Sequence, residues 1–139
     1  MVARKRASLS RFGVSLESDL LARFDGYIAK EGYSNRSKAL ADLIRKEFVG
    51  DDFRKGATVA GAVTIVYDHH RREVVNRLLD IQHDHGGIII SAQHVHLDHD
   101  SCLEIIAVKG RGAEVKLLAD ALKAVKGVKH ATLSVTSAG

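Results

Sequence analysis

GIIISAQHVHLDHDSCLEIIAVKG, residues 87–110, reads as two strands joined by a short polar turn. Successive side chains on a strand point to opposite faces, so Ile88, Ile90 and Ala92 are expected beside His94 and His96, with Ile89, Val95 and Leu97 behind them. In the second strand Leu103, Ile105 and Ala107 share one face, and Ile106 and Val108 take the other. Between the strands, residues 97–101 turn the chain, with Asp98 and Asp100 as ordinary turn formers. The turn sets Cys102 at the start of the neighbouring antiparallel strand, close to His96.

Working outward, TVAGAVTIVY (58–67) is a strand and HHRREVVNRLLDIQHDH (69–85) a helix before this hairpin. After it come a helix, GAEVKLLADALKAVKG (112–127), and a strand, VKHATLSVT (128–136). The order βαββαβ predicts an α+β sandwich of the ferredoxin-like type. Its helices cover one face of the sheet, yet the central strands are apolar on both. The uncovered face must therefore pack on another subunit.

Farther upstream, FVGDDFRKGA (48–57) has two glycines and adjacent acids and reads as a linker, placed at 51–57. In front of it lies a strand-helix-helix unit, residues 10–50. Phe12, Val14 and Leu16 alternate with Arg11, Gly13 and Ser15, which predicts a short strand. A helix follows, capped by Ser15 or Ser18, with Leu20, Phe24, Tyr27 and Ile28 at helical spacing until Gly32. A second helix starts at Ser34 or Asn35 and carries Leu40, Leu43, Ile44 and Phe48. One strand is all edge, and about forty residues bury too little apolar surface to stand alone, so the unit must dimerise. Two copies of the strand make an antiparallel ribbon with Arg11, Gly13 and Ser15 facing outward, a shape that fits the major groove of DNA.

Charge supports that reading. Residues 1–50 carry ten Lys or Arg against six Asp or Glu, and the remainder balances at eleven each. Arg4, Lys5, Arg6 and Arg11 crowd the first eleven residues without an acid among them, and residues 1–9 form a basic arm suited to a polyanion. With one self-associating surface per domain, a homotetramer is the simplest closed assembly. A single cysteine rules out an intrachain disulfide, and no run approaches the length needed to span a bilayer. A soluble, cytoplasmic protein without a membrane role is expected.

Seven of the eight histidines fall between residues 69 and 99. His94, His96 and Cys102 supply two imidazoles and a thiolate within one hairpin, a donor set for a borderline transition metal. A fourth donor is needed, and His83 and His85 near the preceding helix end are candidates. Some seven to ten residues, roughly 20–30 Å of extended chain, separate them from the hairpin donors, which favours delivery from a partner chain. A Cys102/His96 nucleophilic pair lacks any oxyanion-hole motif or nucleophile turn, and no glycine-rich phosphate loop follows a strand. An enzyme is not expected.

The stretches VSLESDLLARFD, GYSNRSKALADLIR, IQHDH, QHVHLDHDSCLEI and GVKHATL together resemble the nickel-responsive transcriptional repressors, the NikR family. The resemblance spans Arg11 to Ser134 and implies a ribbon-helix-helix DNA-binding domain followed by an ACT-like regulatory domain, residues 58–139. It implies one Ni(II) per subunit in a planar site of His94, His96 and Cys102 from one chain and His83 from another. It further implies base reading by Arg11, Gly13 and Ser15 on double-stranded DNA at a palindromic operator, and repression of nickel uptake genes. Glu104, on the ligand face, is expected to accept a ligand N–H. Gly13 stands where a threonine is common in the family. Lys38 stands where an acid, with one matching Asp42, helps bind a cation, so its ammonium either takes that cation's place or abolishes the site. The competing expectation is an ACT-domain regulator answering to a small organic effector.

Overall fold

The computed structural model describes residues 7–138, so Arg4, Lys5 and Arg6 of the basic arm lie outside it. The chain divides into two compact units within one helix, after Asp42.

In the first unit, α1 (Ser18–Lys30) is followed by the start of α2 (Arg36–Arg54). Gly32 ends the first helix with φ 75°, a left-handed conformation open to glycine. Asn35 starts the second, its Oδ1 accepting the Lys38 N–H at 2.9 Å. At α1 the expected serine cap is replaced by Glu17, which makes no side-chain cap bond. The helices are tied by a two-pronged pair, Arg36 Nε and Nη2 donating to Asp25 Oδ1 and Oδ2 at 2.9 Å each. That guanidinium holds the Asp25 carboxyl below its ordinary value. A depressed folded-state pKa stabilises above the unfolded value of about 3.9 and is lost as pH falls through the folded one. Asp25→Asn is therefore expected to lower the melting temperature slightly at pH 7, a difference that closes under strongly acidic conditions; melting curves across pH check it.

Residues 7–17 carry no helix or strand in the single chain, and Phe12 and Val14 are 73% and 56% exposed. The expected strand at 11–16 is thus absent here. A strand is defined by its ladder, and this unit offers no second strand to pair with. Ala39 is the one buried apolar residue among the described residues of the unit.

The second unit begins inside α2. This helix continues to Arg54, so the expected linker 51–57 is helical through residue 54. Its end is anchored: the Phe53 carbonyl and ring occupy the space a side chain at Gly112 would need, and the Gly112 N–H donates to the Ala57 carbonyl at 3.0 Å. Then follow β1 (Thr58–Tyr67), α3 (Arg72–Asp84), β2 (Ile89–His96), β3 (Cys102–Arg111), α4 (Gly112–Lys123) and β4 (Val128–Ser137). The sheet is antiparallel throughout, ordered β2-β3-β1-β4. This is the predicted βαββαβ arrangement.

Val59, Val63, Ile65, Ile106 and Val108 meet Val74, Leu78 and Ile81 of α3 and Val115, Leu118 and Leu122 of α4 in one buried cluster. Each such side chain contributes about 1.5–3 kcal/mol. Leu103, Ile105 and Ala107 lie on the opposite face and stay only half-buried. One facing assignment is corrected by the structure. The β2 register shifts between Ile89 and Ser91, so Ile89 pairs with Val108 and Ile90 is left 66% exposed. The extra residue changes which side chains of the strand face the core. Among the described residues, no helix is long and apolar enough to cross a membrane.

Candidate metal centre

Register builds the centre. His96 pairs with Cys102, which pairs in turn with Tyr67 of β1, while the next rung on the same face joins His94, Glu104 and Ile65. Paired residues share a face, so His94, His96, Cys102, Glu104 and Tyr67 all project from the side of the sheet that carries the core. Cys102 and Glu104 are buried in the middle of the sheet, whereas His94 and His96 are exposed on its edge strand. The connecting turn is fixed by its own backbone: the Leu97 N–H donates to the Ser101 carbonyl at 2.9 Å, and the Asp100 N–H to Asp98 Oδ1 at 2.9 Å. That second bond leads the lowering of the Asp98 pKa. Asp98 is spent on the turn.

Glu104, 1% exposed, organises the ground beneath His94. The Tyr67 hydroxyl donates to its Oε2 at 2.8 Å and Gln82 Nε2 to its Oε1 at 2.9 Å. Burial first, and then the hydrogen bond to Glu104, hold the Tyr67 phenol far above its ordinary pKa, so it remains a donor. His94 Nε2 lies 3.7 Å from Glu104 Oε1, and its Nδ1 lies 3.4 Å from the Tyr67 oxygen. Either ring nitrogen therefore has an acceptor nearby while the other is available to a metal. Tyr67 and Gln82 were missed by sequence reasoning. Their signals were present but weak: a tyrosine closing a strand, and a glutamine one residue before a candidate histidine.

Near its end α3 packs on the sheet, where Gln82 bonds Glu104. The two histidines that follow differ. His85 is the helix C-cap, its Nδ1 2.9 Å from the Ile81 carbonyl, which engages the ring in capping. His83 is exposed, and within this chain no hydrogen bond joins it to His94, His96 or Cys102 among the described residues.

A further histidine sits against the hairpin. His69 stacks on His96 with ring centroids 4.5 Å apart and planes 7° apart. Desolvation, then repulsion from His70 and His96, lowers its pKa. Donor atoms of three residues converge within 4.8 Å at Asp68, His69 and His70, and again at His70, His99 and Asp100; His94, His96 and Cys102 are not such a group. Those three are gathered by register, with His94 and His96 exposed and Cys102 buried. Two imidazoles and a thiol on successive rungs of one face, beside a buried carboxylate that can take a ligand N–H, suit a borderline divalent ion. Arg11, Gly13 and Ser15 are all exposed on the segment that lacks a ladder, and Gly13 has open space around it.

Comparison with known proteins adds a second line of observation. Residues 60–136 match the family described as the NikR C terminal nickel binding domain. A Chlorobium phaeobacteroides protein named "Putative nickel-responsive regulator" is 57% identical over 132 residues, covering 95% of this chain and 98% of that one. Proteins of the same name from Syntrophus aciditrophicus and Desulfotalea psychrophila are 50% and 47% identical, covering 96% and 94% of this chain and 97% and 96% of their own. Among solved structures, an uncharacterized Thermotoga maritima protein superposes with a TM-score of 0.52 at 14% identity, over 56% of this chain and 96% of its own length. That likeness concerns the fold alone.

Proposed function

The chain belongs to the nickel-responsive regulator family, and from that premise we propose that it is a nickel-dependent DNA-binding repressor of nickel uptake genes. It is a regulator and not an enzyme. The observation that carries the proposal is the pairing of His96 with Cys102 and of His94 with Glu104 at one end of the nickel-binding domain. His94, His96 and Cys102 are the ligands from one copy, and His83 of a second copy is the fourth, giving one Ni(II) per subunit. His83 supports this assignment by being exposed and free of the capping bond that engages His85.

When bound, the ion supplies a cross-link between copies. The chain's own residues set the terms of that link. Glu104 beside Nε2 and Tyr67 beside Nδ1 flank the His94 ring, and Gln82 fixes the Glu104 carboxylate one residue from His83. The half-buried face with Leu103, Ile105 and Ala107 is the surface on which regulatory domains meet. Residues 10–50 form a ribbon-helix-helix unit: Phe12, Val14 and Leu16 are exposed in the single chain and become covered when two copies pair their strands. The closed assembly is a homotetramer with a ribbon at each end, and its target is a palindromic operator in double-stranded DNA. Metal control requires that Ni(II) bind more tightly to the arrangement that reaches both half-sites.

At position 38 the structure bears on the alternatives left by the sequence. Lys38 Nζ lies 2.8 Å from Asp42 Oδ1, so an ammonium sits on the carboxylate that would otherwise help hold a cation. We read Lys38 as taking that cation's place.

Footprinting with and without nickel tests the proposal, with protection expected only when nickel is present. Equal protection in both conditions removes metal control. Arg11→Ala is expected to weaken operator binding by about 1–3 kcal/mol, roughly 5- to 150-fold, and to flatten its salt dependence. Binding titrations at two salt concentrations check this.

A further inference from the structure

The facing of β4 changes once along its length. Ala131, Leu133 and Val135 pack against the buried cluster at every second position, and the next side chain to do so is Val128, three residues before Ala131. The ladder shows the cause: Val66 pairs with His130 and Tyr67 with Val128, which leaves Lys129 as an extra residue without a partner on β1. Strict alternation would have turned this lysine toward the core, where a charge without a partner is costly. The bulge turns it outward instead, and such irregularities recur beside functional sites, where they re-aim a side chain.

Lys129 is aimed at the hairpin turn. Its Nζ reaches past the end of β1 and donates to Ser101 Oγ at 3.0 Å. Ser101 is the residue before Cys102, and its carbonyl accepts the Leu97 N–H at 2.9 Å, the bond that closes the turn behind His96. Asp98 completes the group. Its carboxyl is held below its ordinary value first by the Asp100 N–H, against some desolvation, and then by the Ser101 N–H and hydroxyl and the Lys129 charge. The Ser101 hydroxyl thus accepts from Lys129 and donates to Asp98. The tip of the turn is held separately, His70 Nε2 donating to the His99 carbonyl at 2.8 Å. Lys129 is the tie at the end that carries the sulfur.

We propose, resting on the nickel reading above, that Lys129 is a positioning residue for the metal centre: its ammonium fixes Ser101, and through it the spacing of Cys102 from His96 before the ion arrives. Donors held in place ahead of binding lose less freedom when the ion is bound. The charge alone would act the other way, since an ammonium repels a divalent cation. The sign of the effect therefore separates positioning from electrostatics.

The test is nickel titration of the full chain against a competing chelator, read on the thiolate-to-nickel absorption band, together with hydrogen exchange of the Leu97 amide in the metal-free chain. Lys129→Met keeps the length of the side chain and removes the ammonium. It is expected to weaken nickel binding about 3- to 10-fold, below the scale of about 10- to 100-fold for groups bonded to a ligand itself. Leu97 exchange should speed up while the metal-free melting temperature stays unchanged. Lys129→Arg should restore both affinity and exchange. Ser101→Ala should cost as much as Lys129→Met, and the double variant no more than either, because one contact is removed twice. Nickel bound as tightly or more tightly by Lys129→Met overturns the proposal. So does a loss that adds in full to that of Ser101→Ala, or one that arginine fails to restore. A wild-type chain that forms no thiolate band removes the nickel reading, and Leu97 exchange then decides on its own whether Lys129 holds the turn.

Discussion

Cys102→Ala is expected to abolish the thiolate-to-nickel absorption band and to lower nickel affinity by more than about 100-fold, the upper end of what removing a mere supporting group does to a metal site. Cys102 is the sulfur opposite His96 on the ligand face, and no other cysteine exists in the chain to replace it. Nickel-dependent protection of the operator should vanish with the metal. The fold should survive, because trading a buried thiol for a methyl group removes one atom from a core held by larger side chains. A loss of about 1 kcal/mol is the scale for such a change. Metal analysis, absorption and footprinting on the same preparation decide the matter, and retention of both band and affinity would show that the sulfur is not a ligand.

Glu104→Ala is expected to have the largest effect on stability, about 3–5 kcal/mol in urea denaturation of the metal-free protein. Two contributions combine. The truncation opens a cavity in the middle of the sheet, and it leaves the Tyr67 hydroxyl and the Gln82 amide without the acceptor they now share. Nickel affinity should also fall, by about 10- to 100-fold, since the His94 ring loses the group that orients it. Glu104→Gln separates the effects. It retains the volume and an acceptor for Tyr67, so most of the stability should return, while a charged acceptor for the ligand N–H does not. Unchanged nickel affinity in both variants would remove Glu104 from the site's design.

The hairpin was legible in the sequence because its facts are local. Strand alternation puts His94 and His96 on one side, and a five-residue turn of polar side chains returns Cys102 to His96. What could not be read was set at longer range. Gln82 reaches Glu104 because α3 packs on the sheet, and His69 reaches His96 because β1 ends beside the hairpin; neither follows from spacing along the chain. The linker was misread for a different reason. Gly50 and the acids Asp51 and Asp52 weaken a helix, but Phe53 docking over Gly112 outweighs that weakness and carries α2 on to Arg54. The segment at 11–16 shows the converse case. Its alternation is clear, but a ladder takes two strands, and the described residues of its unit hold no second one.

The shifted register at Ile89 to Ser91 has a consequence for how the molecule can change over time. Beyond the irregularity, the facing of His94 and His96 is set by the turn and by β3, not by the number of residues leading up from α3. The bulge acts as a slip joint. Ile90, unpaired and solvent-facing, absorbs the mismatch between where the helix delivers the chain and where the donors need it. Length changes between Gly86 and Ser91 should consequently be tolerated with the imidazoles still on their own side, whereas a single residue added between His96 and Cys102 would disturb the pairing that brings sulfur to nitrogen.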